Sequence, residues 1–85
     1  MRVTQMNDKQ ATIDLRLFAS LASRMPPDAA EFGILKGITV RQLIDQFRIP
    51  PNEAKLVFIN GVRKDLDTEL NGGERVGIFP PVGGG

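Results

Sequence analysis

The chain has 85 residues, of which 41% are hydrophobic and 25% are charged, a composition typical of one folded globular domain. Its formal net charge of +1 favours neither a nucleic acid nor a membrane surface as partner. Because the sequence contains no Cys and no His, it offers no thiolate nucleophile, no imidazole base and no zinc site that relies on thiolate or imidazole ligands. No metal and no bound cofactor are expected.

Residues 1–10, "MRVTQMNDKQ", lack the apolar core of a signal peptide, and no apolar run is long enough to span a bilayer. The sequence therefore predicts a cytoplasmic location. These first ten residues are also expected to be flexible.

The first regular pattern is "TIDLRLF", in which Ile13, Leu15 and Leu17 alternate with polar residues as in a half-buried strand. The following "ASLASRM" predicts a short helix or turn before two prolines. "EFGILKG" then predicts a brief second strand at residues 32–35.

"TVRQLIDQF" has the spacing of an amphipathic helix, predicted over residues 40–48. Its apolar stripe consists of Val40, Leu43, Ile44 and Phe47. Thr39 is the expected N-cap, and Gln42 three residues later completes a capping box.

"KLVFINGVRK" is an apolar run divided by Asn60-Gly61, the dipeptide that best suits a type I′ turn, so it predicts a hairpin. "NGGE" predicts a second turn, and "RVGIF" a last strand with Val76 and Ile78 on one side and Phe79 on the other. Together the elements predict a single α+β domain over residues 1–85. The arrangement expected is the β-grasp, or ubiquitin-like, fold, with a mixed sheet of about four to five strands on one main helix.

Alternation leaves four apolar side chains on the sheet face away from this helix: Phe18, Leu56, Phe58 and Phe79. Such a face is either a docking patch for partner proteins or a surface covered by residues 26–37. Arg63, Lys64 and Arg75 are candidates for steering a partner to it, although single charges on hairpins are usually only solvated.

The sequence closes with "IFPPVGGG", and we call residues 80–85 the C-terminal tail. Pro80 and Pro81 fix φ and give the tail a stiff direction away from the sheet, while Val82 and Gly83 lead to Gly84 and Gly85. Six extended residues span about 20 Å, which is enough to cross the wall of a partner enzyme. The competing interpretation is a frayed terminus without function.

"LRLFASLAS", the Thr39-capped helix, "VFINGV" and above all "GERVGIFPPVGGG" resemble the MoaD/ThiS family of sulfur carriers, over residues 12–85. The ending is most similar to that of the molybdopterin synthase small subunit. The sequence departs from the family pattern by its third terminal glycine and by an insertion-like stretch at residues 26–37.

The resemblance implies a cosubstrate rather than an enzyme acting alone. An E1-like adenylyltransferase would use ATP to adenylate the carboxyl group of Gly85, next to Gly84, and sulfur from a persulfide donor would convert it to a thiocarboxylate. The implied sulfur acceptor is the large subunit of molybdopterin synthase. Phe18, Leu56, Phe58, Phe79 and residues 80–83 would contact these partners.

Three alternatives stay open from the sequence. The carrier could deliver sulfur to another acceptor, in thiazole, cysteine or tungsten-cofactor synthesis. The activated Gly85 could instead form isopeptide bonds with lysines, as in a protein modifier, or the domain could be a binding module with an inert tail.

Overall fold

The predicted strands form a five-stranded mixed sheet, and an α-helix contributes its buried stripe to the same hydrophobic core. The computed structural model describes residues 10–81. The strands are β1 Gln10–Leu17, β2 Phe32–Leu35, β3 Ile38–Thr39, β4 Leu56–Ile59, β5 Val62–Lys64, β6 Glu69–Leu70 and β7 Arg75–Phe79. The α-helix, α1, is Val40–Gln46, and 3-10 turns occupy Ala19–Arg24, Ala29–Glu31 and Pro51–Glu53.

The sheet has the strand order β2-β1-β7-β4-β5, with β7 in the centre. β1 and β7 run parallel, whereas the other neighbouring pairs are antiparallel. This mixed sheet with one helix confirms the β-grasp prediction. The last described strand is thus bonded on both sides, to β1 and to β4.

The core is formed by the inward side of the sheet and the apolar stripe of α1. Its members from the predicted patterns are Ile13, Leu15, Leu17, Val40, Leu43, Ile44, Val57, Ile59, Val76 and Ile78, all buried. The alternation in β1, β4 and β7 therefore gave the inward face correctly.

Helix α1 begins as predicted and ends earlier than predicted. The backbone N–H of Gln42 donates to Oγ1 of Thr39, and Oε1 of Gln42 accepts from the Thr39 N–H, which completes the capping box. The predicted end at residue 48 is wrong, because the helix stops at Gln46 and Arg48 adopts a left-handed φ of 59°. The N–H groups of Arg48 and Ile49 then donate to the carbonyls of Asp45 and Ile44, which is a Schellman closure.

Both predicted turns are present. Asn60 and Gly61 have φ values of 53° and 84°, as a type I′ hairpin turn requires between β4 and β5. Gly72 and Gly73 also have positive φ, and both carboxylate oxygens of Glu74 accept backbone N–H bonds across that turn.

Two strands, β3 and β6, were not predicted from the sequence; they pair in a small second sheet. Each strand has only two residues, too short for alternation to be visible. The stretch from Asp65 to Leu70, for which the sequence predicted no element, supplies the fully buried Leu70.

Residues 26–37 extend the sheet instead of covering its outer face. β2 pairs with β1 at the sheet edge, Ala29 and Ile34 join the core, and the ring of Phe32 contacts that of Phe47 after α1. The alternative in which this segment covers the outer aromatic residues is therefore wrong.

Of residues 1–10, predicted to be flexible, only Gln10 is described, and it pairs with Leu35. Within residues 10–81, no helix has the length and apolar character needed to cross a membrane.

Candidate functional site

Three phenylalanines form an aromatic cluster on the sheet face away from α1. The rings of Phe18 and Phe79 are stacked, with centroids 4.2 Å apart and planes 4° from parallel. Phe58 meets Phe79 edge to face at 5.8 Å. Leu56 lies directly opposite Phe79 in the antiparallel ladder and so shares this face. The structure thus brings together the four apolar residues that alternation assigned to the outer face.

The cluster is only partly buried by the described chain. Phe18 is 38% exposed, and Leu56, Phe58 and Phe79 are half-buried. The edge-to-face pair of Phe58 and Phe79 has a geometry that stabilises aromatic pairs by about 0.5–1.5 kcal/mol beyond their burial. The cluster is therefore an ordered apolar surface open to a partner.

Phe18 owes its position to the end of β1. Its N–H donates to the carbonyl of Ile78, which extends the parallel ladder by one residue. Ala19 then takes a φ of 53°, a conformation that costs an alanine about 1–2 kcal/mol. This turn directs the chain into the 3-10 turn Ala19–Arg24 and leaves the Phe18 ring over β7.

Gly77 forms the floor between the rings. A Cβ atom at this position would lie 3.3 Å from Cε2 of Phe18 and 3.9 Å from Cε1 of Phe79. Without it, a depression of about 240 Å³ opens, lined by Phe18, Phe58 and Phe79 and flanked by Arg16 and Arg75. We call this depression the aromatic cup.

The character of the outer face changes along the strands. The row at the end of β7 is apolar, with Phe79 between Phe18 and Leu56. In the next row Gly77 pairs with Arg16 and Phe58, and Phe58 pairs with Arg63. The row beyond pairs Arg75 with Asp14. An apolar end and a cationic end therefore lie on one surface.

Arg16 and Asp14 form an ion pair on this face, with Nε and Nη2 of Arg16 each 3.1 Å from a carboxylate oxygen. These hydrogen bonds are the main reason why the pKa of Asp14 lies below its ordinary value, and Arg75 adds a weaker attraction. The same bonds raise the pKa of Arg16.

Arg75 is held by the neighbouring hairpin. The Asn60 N–H donates to the Arg75 carbonyl, and Oδ1 of Asn60 accepts from the Arg75 N–H, both at 2.9 Å. Lys64, the third predicted steering residue, pairs with the buried Val57 and so lies on the side opposite to Arg63.

The aromatic cluster adjoins the point where the C-terminal tail begins. Phe79 is the last residue of β7, and its carbonyl accepts the Lys55 N–H at 2.9 Å. Pro80 is half-buried and Pro81 is exposed. The predicted site residues Val82, Gly83, Gly84 and Gly85 lie outside the described residues.

The sequence interpretation missed Gly77 and Arg16 as parts of this surface. Both could have been found from the alternation. Gly77 lies two residues before Phe79, and Arg16 two residues before Phe18, so each pair shares one side of its strand. Their importance depends on the pairing of β1 with β7, which joins residues about sixty positions apart in the chain and has no local signal.

Comparison with known proteins places the chain in a family. The model of the ThiS family matches residues 15–85. A comparison with curated proteins gives no significant match.

Three solved structures share the fold. The solution structure of the Haloferax volcanii HVO 2177 protein has a TM-score of 0.70 at 23% identity, covering 91% of this chain and 89% of its own. A candidate molybdopterin converting factor, subunit 1, from Pyrococcus furiosus has a TM-score of 0.59 at 25% identity, with coverages of 85% and 99%. SAMP1 from Haloferax volcanii has a TM-score of 0.60 at 21% identity, with coverages of 88% and 100%.

The family match extends over most of the chain and through the terminal glycines. The structural neighbours have the same arrangement of sheet and helix. The chain therefore belongs to the ThiS family, within the ubiquitin-like MoaD/ThiS group of sulfur carriers.

Proposed function

We propose that this protein carries sulfur as a thiocarboxylate on Gly85 and donates it as the small subunit of a molybdopterin synthase. The observation that supports this most directly is the position of the aromatic cluster. A half-exposed apolar surface adjoins the residue from which Pro80 and Pro81 continue towards the glycines. A partner bound to this surface would lie beside the start of the C-terminal tail.

The proposed chemistry begins with activation, because a carboxylate is a poor acyl donor. An E1-like enzyme joins the Gly85 carboxylate to the AMP part of ATP and releases pyrophosphate. The terminal sulfur of a protein persulfide attacks the acyl carbon and displaces AMP. A thiol then reduces the resulting acyl disulfide, leaving the thiocarboxylate on Gly85 and a disulfide on the donor side. Since the sequence has no Cys, this chain would carry sulfur on the terminal carboxyl group of Gly85.

In this proposal the domain and the C-terminal tail have separate roles. The face formed by Phe18, Leu56, Phe58 and Phe79 docks first on the activating enzyme and then on the acceptor enzyme. Pro80 and Pro81 set the direction of the tail, and Val82 and Gly83 occupy the partner's channel with Gly84 and Gly85 at the reacting centre. Members of the family work with E1-like enzymes and partner subunits.

The assignment to molybdopterin synthesis is supported by the "FPPVGGG" ending and by the likeness to the candidate converting-factor subunit from Pyrococcus furiosus. Thiazole, cysteine and tungsten-cofactor synthesis are the competing sulfur destinations. Purification of the complex that the thiocarboxylated protein forms with its acceptor enzyme decides between them, since the acceptor defines the pathway.

The test is mass spectrometry of the C-terminal peptide after incubation with ATP, an E1-like enzyme and a persulfide donor. Cleavage after Arg75 releases "VGIFPPVGGG", which contains no Met. This choice matters because a thiocarboxylate adds about 16 Da, nearly the mass of one methionine oxidation. We expect this shift, located on Gly85 by fragmentation.

A chain lacking Gly84 and Gly85 is the matched control and should acquire no sulfur. If Gly85 is adenylated but acquires no sulfur, and remnants of this tail are found on lysines of other proteins, the protein is a modifier and not a sulfur carrier. If the truncated chain supported sulfur transfer to the acceptor enzyme as the full chain does, both the carrier and the modifier interpretations would be contradicted.

A further inference from the structure

The aromatic cup has a shape and a charge that specify what kind of surface binds it. Resting on the carrier function proposed above, we propose that the cup receives one apolar side chain of the activating enzyme. Carboxylates on either side of that side chain would bind Arg63 and Arg75. The partner is thus an acidic protein surface with a single apolar anchor.

The cup is an open depression that can take the end of an apolar side chain. Phe18, Phe58 and Phe79 form its walls, and Gly77, which has no Cβ, forms its floor. It is open to solvent, and its volume of about 240 Å³ is larger than the roughly 150 Å³ of an enclosed cavity that holds benzene, so a Leu-sized or Phe-sized group can rest in it. Buried apolar anchors of this kind usually contribute most of the binding energy of an interface.

The cations around the cup are available to a partner. Among residues 10–81, the only carboxylate on the adjoining rows is that of Asp14, and Arg16 binds it with two hydrogen bonds. Arg63 and Arg75 have no carboxylate oxygen of that range within 4 Å. Three arginines against one aspartate give the face an excess of positive charge, although the whole chain carries only +1. Charge complementarity then calls for an acidic surface.

The same features disfavour two other occupants. A second copy of this chain, packed face to face, would bring its own Arg63 and Arg75 against those of the first, and like charges at an interface are costly. Single-stranded nucleic acid needs open ring faces for stacking, and Phe18 and Phe79 are stacked on each other while Phe58 meets Phe79 at its edge.

The charge part of the proposal is tested with two substitutions on one strand. Arg63→Glu reverses a charge beside the cup, whereas Lys64→Glu makes the same change at the next residue on the opposite side of β5. The probe is the E1-like enzyme that adenylates the wild-type protein, and the measurement is its association rate by stopped flow. At about 50 mM NaCl we expect Arg63→Glu to slow association about tenfold and Lys64→Glu less than twofold. The difference should disappear near 0.5 M NaCl.

The shape part is tested with Gly77→Ala. The added Cβ fills the floor, and because Phe18 is partly exposed, its ring can shift by a few tenths of an ångström without loss of the fold. We expect about tenfold faster dissociation, an unchanged thermal midpoint within a few degrees and the same salt dependence as wild type. Arg75→Gln should slow association as Arg63→Glu does, with a smaller effect.

The outcomes separate this proposal from the carrier function. If Gly85 acquires sulfur but Arg63→Glu and Lys64→Glu behave alike, or Gly77→Ala binds as wild type does, the carrier function stands and the cup proposal is overturned. If no E1-like enzyme adenylates the wild-type protein, both are overturned. Tight binding of a fluorescent single-stranded oligonucleotide that is lost in Arg63→Glu, or dimerisation that is lost in Gly77→Ala, would assign the face to those occupants instead.

Discussion

The turn that leads into β7 allows a sharp test of how the chain positions its last strand. Gly72 and Gly73 are neighbours with φ values of 114° and 82°, but only Gly72 lies against another element. A Cβ atom on Gly72 would be 2.6 Å from Cβ of Ala11 in β1, whereas a Cβ on Gly73 would meet nothing within 4 Å. Gly72→Ala and Gly73→Ala therefore both place an alanine at a positive φ, and only the first brings its Cβ against another element.

The magnitudes follow from the geometry. A positive φ costs an alanine about 1–2 kcal/mol, and this cost applies to both variants. Non-bonded carbons prefer separations of about 3.5–4.0 Å, and a Cβ atom cannot rotate away, so the backbone at Gly72 must move. Such overpacking costs about 1–3 kcal/mol more. We expect Gly73→Ala to lower the free energy of unfolding by about 1–2 kcal/mol, and Gly72→Ala by about 2–5 kcal/mol.

The assay is urea denaturation followed by circular dichroism, with Ala11→Gly as the second arm of a double-mutant cycle. Removing the Ala11 Cβ relieves the contact, so Gly72→Ala should cost about 1–3 kcal/mol less in that background than in the wild type. Gly73→Ala should show no such coupling. Equal destabilisation by the two glycine substitutions, or additivity of Ala11→Gly with Gly72→Ala, would refute this account of how the turn packs on β1.

Three further predictions concern the site and its support. Phe58→Asp should abolish binding of the activating enzyme with an unchanged circular dichroism spectrum, and loss of the fold would show that Phe58 is needed for stability instead. Hydrogen bonds from Arg16 lower the pKa of Asp14, so the pair stabilises the fold above the ordinary aspartate pKa and loses this contribution as pH falls through the folded-state pKa. A carboxyl NMR titration should show a higher midpoint in Arg16→Gln, and equal midpoints would contradict this. Thr39→Ala removes the cap of α1 and should cost about 1 kcal/mol in urea denaturation, whereas an unchanged midpoint would mean that the capping box with Gln42 contributes little.

Local patterns in the sequence were enough to predict most of the elements. The alternation of Ile13, Leu15 and Leu17, the cap at Thr39 and the Asn60-Gly61 turn each act within a few residues, so their structural result is readable from the chain. The four outer apolar residues followed from the same alternation. The motif around the terminal glycines led to the family and its expected chemistry.

The predictions that failed depended on contacts that have no local pattern. β3 and β6 are strands because Ile38 pairs with Leu70 and Thr39 with Glu69, residues thirty or more positions apart in the chain. Helix α1 ends at Gln46 because Arg48 adopts a left-handed conformation and Ile49 returns to the core.

By itself, the sequence determined which residues of β1, α1, β4 and β7 face inward, where the hairpin turns and which chemistry the terminal glycines suggest. Only the tertiary structure decided that β7 lies between β1 and β4. That position stacks Phe18 on Phe79, opens the cup over Gly77 between Arg16 and Arg75, and places Arg63 of β5 beside Phe58. The physical reason is that each of these features is a pairing between distant segments, and its geometry exists only once the sheet has formed.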